Sequence, residues 1–164
     1  RADGTRGFAC TQTDIKKGLQ QEAEANRFAV ALLMPERMFR PLMSGSVLDF
    51  TLIDSLAREF MVSKHSCSFR ILDFIREPYA VITSNGYNIM TLKTSRAARG
   101  YLPALKTIPQ DTAAHAAITH QRSQECFTPC PPEQWLARPI PAQYVYECTR
   151  GHFAFGVAMT ILRW

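Results

Sequence analysis

The sequence has no apolar run near the roughly 18 residues that a membrane-crossing helix needs, and its start shows no signal-peptide pattern. Neither a membrane partner nor a secretory route is expected. It also has no dense basic run. Lys and Arg number 19 against 14 Asp and Glu, a formal charge of +5. That suits a nucleic-acid binder, but it suits a mildly basic protein surface better when the charges are scattered. Charged residues are scarce at 20% while hydrophobic residues reach 46%, a balance that excludes a disordered chain and allows a core. Cysteines are few and odd in number: Cys10, Cys67, Cys126, Cys130 and Cys148. A disulfide-stapled secreted domain would carry an even, denser set, so these read as free thiols in a reducing cytosol. No internal repeat or low-complexity block is present. The first residue is Arg1 rather than Met, which raises the expectation of further chain upstream.

Residues 1–20 mix Gly, Thr, Gln and charges without periodicity and read as a loop. Residues 21–34 read as a helix, rich in Ala, Glu, Leu and Met, with acidic residues in the first turn where the helix dipole favours them. Pro35 interrupts it, and residues 36–43 predict a short helical turn that buries Met38, Phe39, Leu42 and Met43. After Ser44-Gly45-Ser46 come two amphipathic segments. The first, residues 47–60, carries Leu52, Leu56 and Phe60 on one stripe with Ile53 and Ala57 beside it. The second, residues 64–75, has Ser63 as its N-cap and Phe69, Leu72 and Phe74 as core positions. A tight turn at Met61-Val62 joins them, giving a helix-turn-helix shape.

The pattern changes after Pro78. Two β-rich runs flank Asn85-Gly86, a pair suited to a two-residue hairpin turn. Within residues 96–125 the alanines at 113, 114, 116 and 117 suggest a helix. The proline-rich stretch 126–141 reads as loop, and the tail as two strands around a turn at Arg150-Gly151. Trp135 and Trp164 are expected to pack on the sheet. The fold class is α+β: a helical N-terminal lobe with a helix-turn-helix-like unit, followed by a small antiparallel-sheet α+β domain.

At about 100° per residue, Ala25, Phe28, Ala29, Leu32 and Leu33 gather on one face of the first helix, and Glu22 falls in the same arc. Glu24 and Arg27 fall to its flank. An ionised carboxylate aimed along an apolar stripe is costly unless paired or bound to a metal. Three readings stay open: Glu22 remains wet at a frayed helix start, pairs with a Lys or Arg from elsewhere, or coordinates a metal.

The run EAEANRFAVALLMP, residues 22–35, closely resembles the E-x-E-A-N-x-F-A-x-x-L-L-M-P signature of the ImmA/IrrE metallopeptidases at fourteen consecutive positions. LAREFMVS, residues 56–63, is similar to the L-A-x-x-F-x-V-S segment that opens the family's helix-turn-helix-like part, and the closing MTILRW looks like the ending of several members. The resemblance implies a zincin arrangement. A helix carrying H-E-x-x-H supplies two zinc-binding histidines and a glutamate base, and a glutamate on the next helix is the third ligand. Zinc lowers the pKa of a bound water toward about 7, and the glutamate takes its proton during attack on a peptide carbonyl. By position, Glu22 matches the third ligand, with Glu24 as the alternative.

The sequence departs from the family where it matters most. Its histidines are His65, His115, His120 and His152, and no H-E-x-x-H occurs. No catalytic residue is therefore assigned in this chain, and on its own it is expected to be inactive and to bind zinc weakly at best. The resemblance divides it into a zincin-like remnant (1–43), a helix-turn-helix-like unit (44–77) and a small sensor-like domain (78–164). It implies part of a cytoplasmic, site-specific zinc endopeptidase that cleaves a helix-turn-helix transcriptional repressor in a stress response. Two rivals remain: a non-catalytic regulatory or binding module, and a DNA-binding regulator. Lys64, His65 and Arg70 are the candidate contacts to protein or DNA, protein being preferred because the same helix must bury apolar residues. A zinc site from Cys126, Cys130, Cys148 and His152 is a further candidate, set against the usual role of lone cysteines as small buried hydrophobes.

Overall fold

The computed structural model describes residues 24, 25 and 28–164. Residues 28–33 are helical (α1), and α2 follows at Glu36–Leu42 after Pro35. α1 docks through Val30 and Met34, not through the stripe that periodicity points inward: Phe28, Leu32 and Leu33 are 71%, 66% and 55% exposed. The short α2 buries Phe39 alone, while Met38 and Leu42 stay exposed.

α3 spans Phe50–Glu59 and α4 spans Lys64–Phe74. Both begin where the sequence offers a cap. The Leu52 N–H donates to the Asp49 carboxylate at 2.8 Å, and the Ser66 N–H donates to the Ser63 hydroxyl at 3.0 Å. α3 buries Phe50, Ile53, Leu56 and Ala57, so its buried stripe is rotated from the Leu52–Leu56–Phe60 line, whose outer members are only partly covered. α4 buries Cys67, Ser68, Ile71 and Leu72, with Phe69 and Phe74 half-covered beside them. The turn between the helices lies at Met61-Val62 as expected. Met61 sits at φ 50°, and the Val62 N–H reaches back to the Ala57 carbonyl at 3.0 Å. This six-residue closure is a helix C-terminal motif that ordinarily takes glycine at the left-handed position.

Among the described residues five antiparallel strands form one sheet in the order β2-β1-β5-β4-β3. They are β1 (Tyr79–Asn85), β2 (Asn88–Thr94), β3 (Gln124–Cys130), β4 (Val145–His152) and β5 (Val157–Arg163). α5 (Ala113–Thr119) precedes β3, with Thr112 as its cap. Three sequence expectations shift. The hairpin turn is Gly86-Tyr87, because Asn85 pairs with Asn88, and Gly86 at φ 53° takes the first central position. The β4–β5 turn falls at 153–156 rather than at Arg150-Gly151, since Gly151 pairs with Ala158 and Gly156 supplies the left-handed residue. Cys126–Cys130 is strand, not loop. β3 is an edge strand, where Pro129 can stand without breaking a ladder on both sides.

The sheet is covered on both faces. Val81, Ile161 and Cys148 form a rank across β1, β5 and β4 that packs with the buried residues of α3 and α4. On the other face, Ala80, Ile82 and Leu162 meet Trp135, Leu136, Ile108 and Ala114. Trp135 is 1% exposed and Trp164 packs at the edge of the same cluster, 6.0 Å from Tyr101.

Met61→Gly relieves a left-handed conformation that a side chain disfavours, and Met61 is 92% exposed, so nothing is lost from the core. The variant is expected to be more stable by about 1 kcal/mol in denaturant titration; a lower midpoint would show that the turn is not closed as described.

Candidate functional site

Residues from α1, the 61–63 turn, α4 and β2 enclose a groove of about 760 Å³. His65 and Arg70 both line it; Lys64 does not. Arg70 donates from Nε and Nη2 to the Met34 carbonyl at 3.2 and 3.0 Å, which pins the junction of α1 and α2 to α4. Its guanidinium also lies 4.5 Å from the Phe74 ring. Lys93 crosses from β2 and donates to the Phe69 carbonyl at 2.8 Å and to Asp73 at 2.7 Å. The His65 ring lies 4.2 Å from Phe69, and its Nε2 is 3.2 Å from the Thr91 hydroxyl. Burial pushes the His65 pKa below its ordinary value, so the ring is neutral at pH 7.

Lys64 belongs to a separate cluster between α3 and the sheet. Its Nζ is 2.8 Å from Asp54, and Asp54 also accepts from Arg150 on β4 at 2.7 Å. Arg150 binds Glu125 of β3 through Nε and Nη2 and lies 4.5 Å from the Phe50 ring. Burial works to raise the Asp54 pKa, but the hydrogen bonds and charges of Lys64 and Arg150 outweigh it and hold the carboxyl below its ordinary value. The hydrogen bond from Arg150 does the same for Glu125.

A carboxylate overlooked in the sequence lies under α5. Glu147 is 0% exposed and stands in the apolar rank Ala80–Leu162–Glu147. It accepts from the Ala113 and Ala114 N–H groups at 2.8 and 3.1 Å, two donors left free at the start of α5. Burial pushes its pKa up, against the pull of those two N–H groups. The signal was present in the alternation of β4, where Glu147 is in phase with the buried Val145. Its position makes it the fastening of α5 to the sheet.

Residues 4–72 match the family model of the IrrE N-terminal-like domain. That match supports an ImmA/IrrE assignment for this segment. The family is one of zincin-like metallopeptidases. A search of curated proteins finds no match. The matched segment takes in α1 through most of α4, so most of the groove's lining, His65 and Arg70 included, falls within it, while Asp73, Lys93 and the sheet lie beyond.

Glu22, the expected third ligand, lies outside the described residues; its alternative, Glu24, is helical and exposed. Among the described residues no three His, Cys, Asp or Glu side chains come together as a metal site. This rules out the Cys126–Cys130–Cys148–His152 candidate for a physical reason. Cys148 faces the helices, Cys130 faces the Trp135 side, Cys126 is exposed, and His152 meets Phe155 edge-on. Burial pushes the thiols of Cys67, Cys130 and Cys148 up to about 12, so none is a thiolate at neutral pH. No described helix is long and apolar enough to cross a membrane.

The Arg150 cluster yields a prediction with a defined sign. Asp54 and Glu125 have folded pKa values below their ordinary 3.8 and 4.5, so their stabilisation is present above those values and is lost as pH falls through the folded ones. Arg150→Met is expected to cost about 1–2 kcal/mol at pH 7. The gap from wild type should narrow in denaturation curves taken below about pH 4; a gap constant with pH would assign the loss to packing over Phe50 instead.

Proposed function

We propose that this chain is part of a site-specific zinc endopeptidase that cleaves a helix-turn-helix transcriptional repressor, and that it does not cleave by itself. The observation that carries this is the family match over residues 4–72 combined with a sequence in which no H-E-x-x-H occurs. In this reading Glu22 is one zinc ligand, and zinc supplies Lewis-acid activation of water once the two histidines of the family motif are provided by sequence outside this chain. The described residues do not make a zinc site among themselves, so no step is assigned to them. Their part is to hold α1 in place. Arg70 fixes the Met34 carbonyl at the end of the signature run, and the exposed Phe28, Leu32 and Leu33 lie on the helical face that Glu22 shares by periodicity. The division at 1–43, 44–77 and 78–164 remains the proposed organisation, with the protein active in the cytoplasm during a stress response.

Contact with a protein is favoured over sequence-specific DNA recognition by the helix-turn-helix-like unit. A recognition helix offers free polar side chains near its N-terminus. Here Lys64 is paired with Asp54, His65 is neutral and half-buried, and Arg70 is occupied by Met34 and Asp73.

The chain as given should leave a repressor substrate intact and retain far less than about one zinc per molecule after dialysis. A longer polypeptide whose upstream coding sequence supplies H-E-x-x-H should cleave it, and Glu22→Gln there should abolish both cleavage and tight zinc binding while Glu24→Gln spares them. Cleavage and bound zinc that survive Glu22→Gln would move the ligand assignment to Glu24. Upstream sequence without the motif would remove the peptidase reading in favour of a binding module.

A further inference from the structure

We propose that the cleft between the helical lobe and the sheet is a binding site for a small phosphate monoester. The inference is independent of the peptidase reading. The cleft measures about 740 Å³, within the span of small-molecule sites, and is built from the end of α2, the 43–47 turn, the 74–77 linker after α4, and the neighbouring ends of β1 and β5. Arg40, Arg76 and Arg163 line it with one carboxylate, Glu77. Arg40 is 2.9 Å from Glu36 on its own helix, whereas Arg76 and Arg163 have no acidic partner among the described residues.

The guanidinium of Arg163 is positioned by rings. It lies 4.2 Å from Phe127 and 5.4 Å from Tyr146, and that of Arg40 lies 5.4 Å from Phe74. Stacking fixes the plane of an arginine fork without consuming its N–H donors, which stay available to an oxyanion. Ser44 and Ser46 add hydroxyls to the rim, and between them Gly45, at φ +73°, leaves open space where a side chain would stand.

Acceptor geometry selects the class of anion. A phosphate monoester presents three acceptor oxygens, enough for the forks of Arg76 and Arg163 together, whereas a carboxylate presents two. A nucleic-acid backbone needs a basic track along an open surface, and here Glu77 interrupts the positive lining. The ligand would touch both the linker that leaves α4 and the last residues of β5, so its binding would join the helical lobe to the sheet.

Calorimetry on the whole chain at low salt tests this, with inorganic phosphate, adenosine 5′-monophosphate, succinate and a short DNA duplex as probes. Adenosine monophosphate is expected to bind, inorganic phosphate to compete with it, and succinate to bind at least about tenfold more weakly. Arg76→Gln, at an exposed position away from the core, should weaken the ester about tenfold with an unchanged melting curve. Arg163→Met should weaken it further. Absence of ester binding, ester binding untouched by Arg76→Gln, or preferential capture of the duplex would overturn the proposal.

Discussion

Strands β1 and β5 must be dry on both faces, and most of the architecture follows from that demand. β1 is buried at nearly every position, and Ala158 and Thr160–Leu162 of β5 are buried as well. Such strands cannot show the alternation of a half-exposed sheet; they read as unbroken apolar runs and need a cover on each side. One cover is the α3–α4 pair. The other is assembled from α5 and the Trp135 loop, with almost no regular structure of its own. The helical and sheet parts therefore share a core: Phe50, Ile53, Ile71 and Leu72 belong to the same cluster as Tyr79, Val81, Cys148 and Ile161. Polar cross-links follow the same seam, with Lys93 reaching α4 from β2 and Arg150 reaching α3 from β4. The change of pattern at Pro78 marks a change of element type, while the packing runs through it.

What could be read in advance was local. Asp49 and Ser63 bond N–H groups three residues ahead, so two helix starts were written in short range, and Met61-Val62 marked the turn between them. Periodicity gave the helices but not their rotation. α3 turned its buried line toward Phe50 and Ile53 because the sheet face lies there, and no property of the segment alone specifies where the sheet is. The β3 strand was missed for a similar reason. Two prolines and two cysteines in CFTPCP argue for loop, and only an edge position, with pairing on one side, makes them compatible with a strand. The first turn slid by one residue because Asn85 stays in the ladder opposite Asn88, and the second because Gly156 rather than Gly151 takes the left-handed conformation.

The site was legible as a family signature and much less so as chemistry. Lys64, His65 and Arg70 are near neighbours on one helix, yet they serve three different contacts. Position 64 lies beside α3 and meets Asp54, position 65 meets β2 and is half-buried there, and position 70 faces the α1–α2 junction. Each fate depends on a partner distant in sequence: Arg150 is 96 residues from Asp54, and Met34 is 36 from Arg70. Glu147 is the converse case. Its alternation with Val145 placed it inward, but the two amide donors that make it tolerable belong to a helix 33 and 34 residues earlier.

The exposed stripe of α1 weighs these two kinds of information against each other. A helix that carries Phe28, Leu32 and Leu33 outward is costly in water, by roughly 25 cal/mol for each Å² of apolar surface left uncovered. Isolated short helices are marginal besides. α1 persists here through Val30, Met34 and the Arg70 clasp, which leaves the opposite face free. Sequence periodicity puts Glu22 in the same arc as that exposed stripe, which gives the stripe a chemical meaning that burial within the described residues does not. A carboxylate and an apolar stripe presented together suit a surface completed by another helix, one that brings apolar side chains for the stripe and donors for the carboxylate. The family signature runs along this helix and ends at Met34-Pro35, where Arg70 holds it. The clasp and the free face are thus two sides of one requirement: the helix must be held from behind if its front is to remain available.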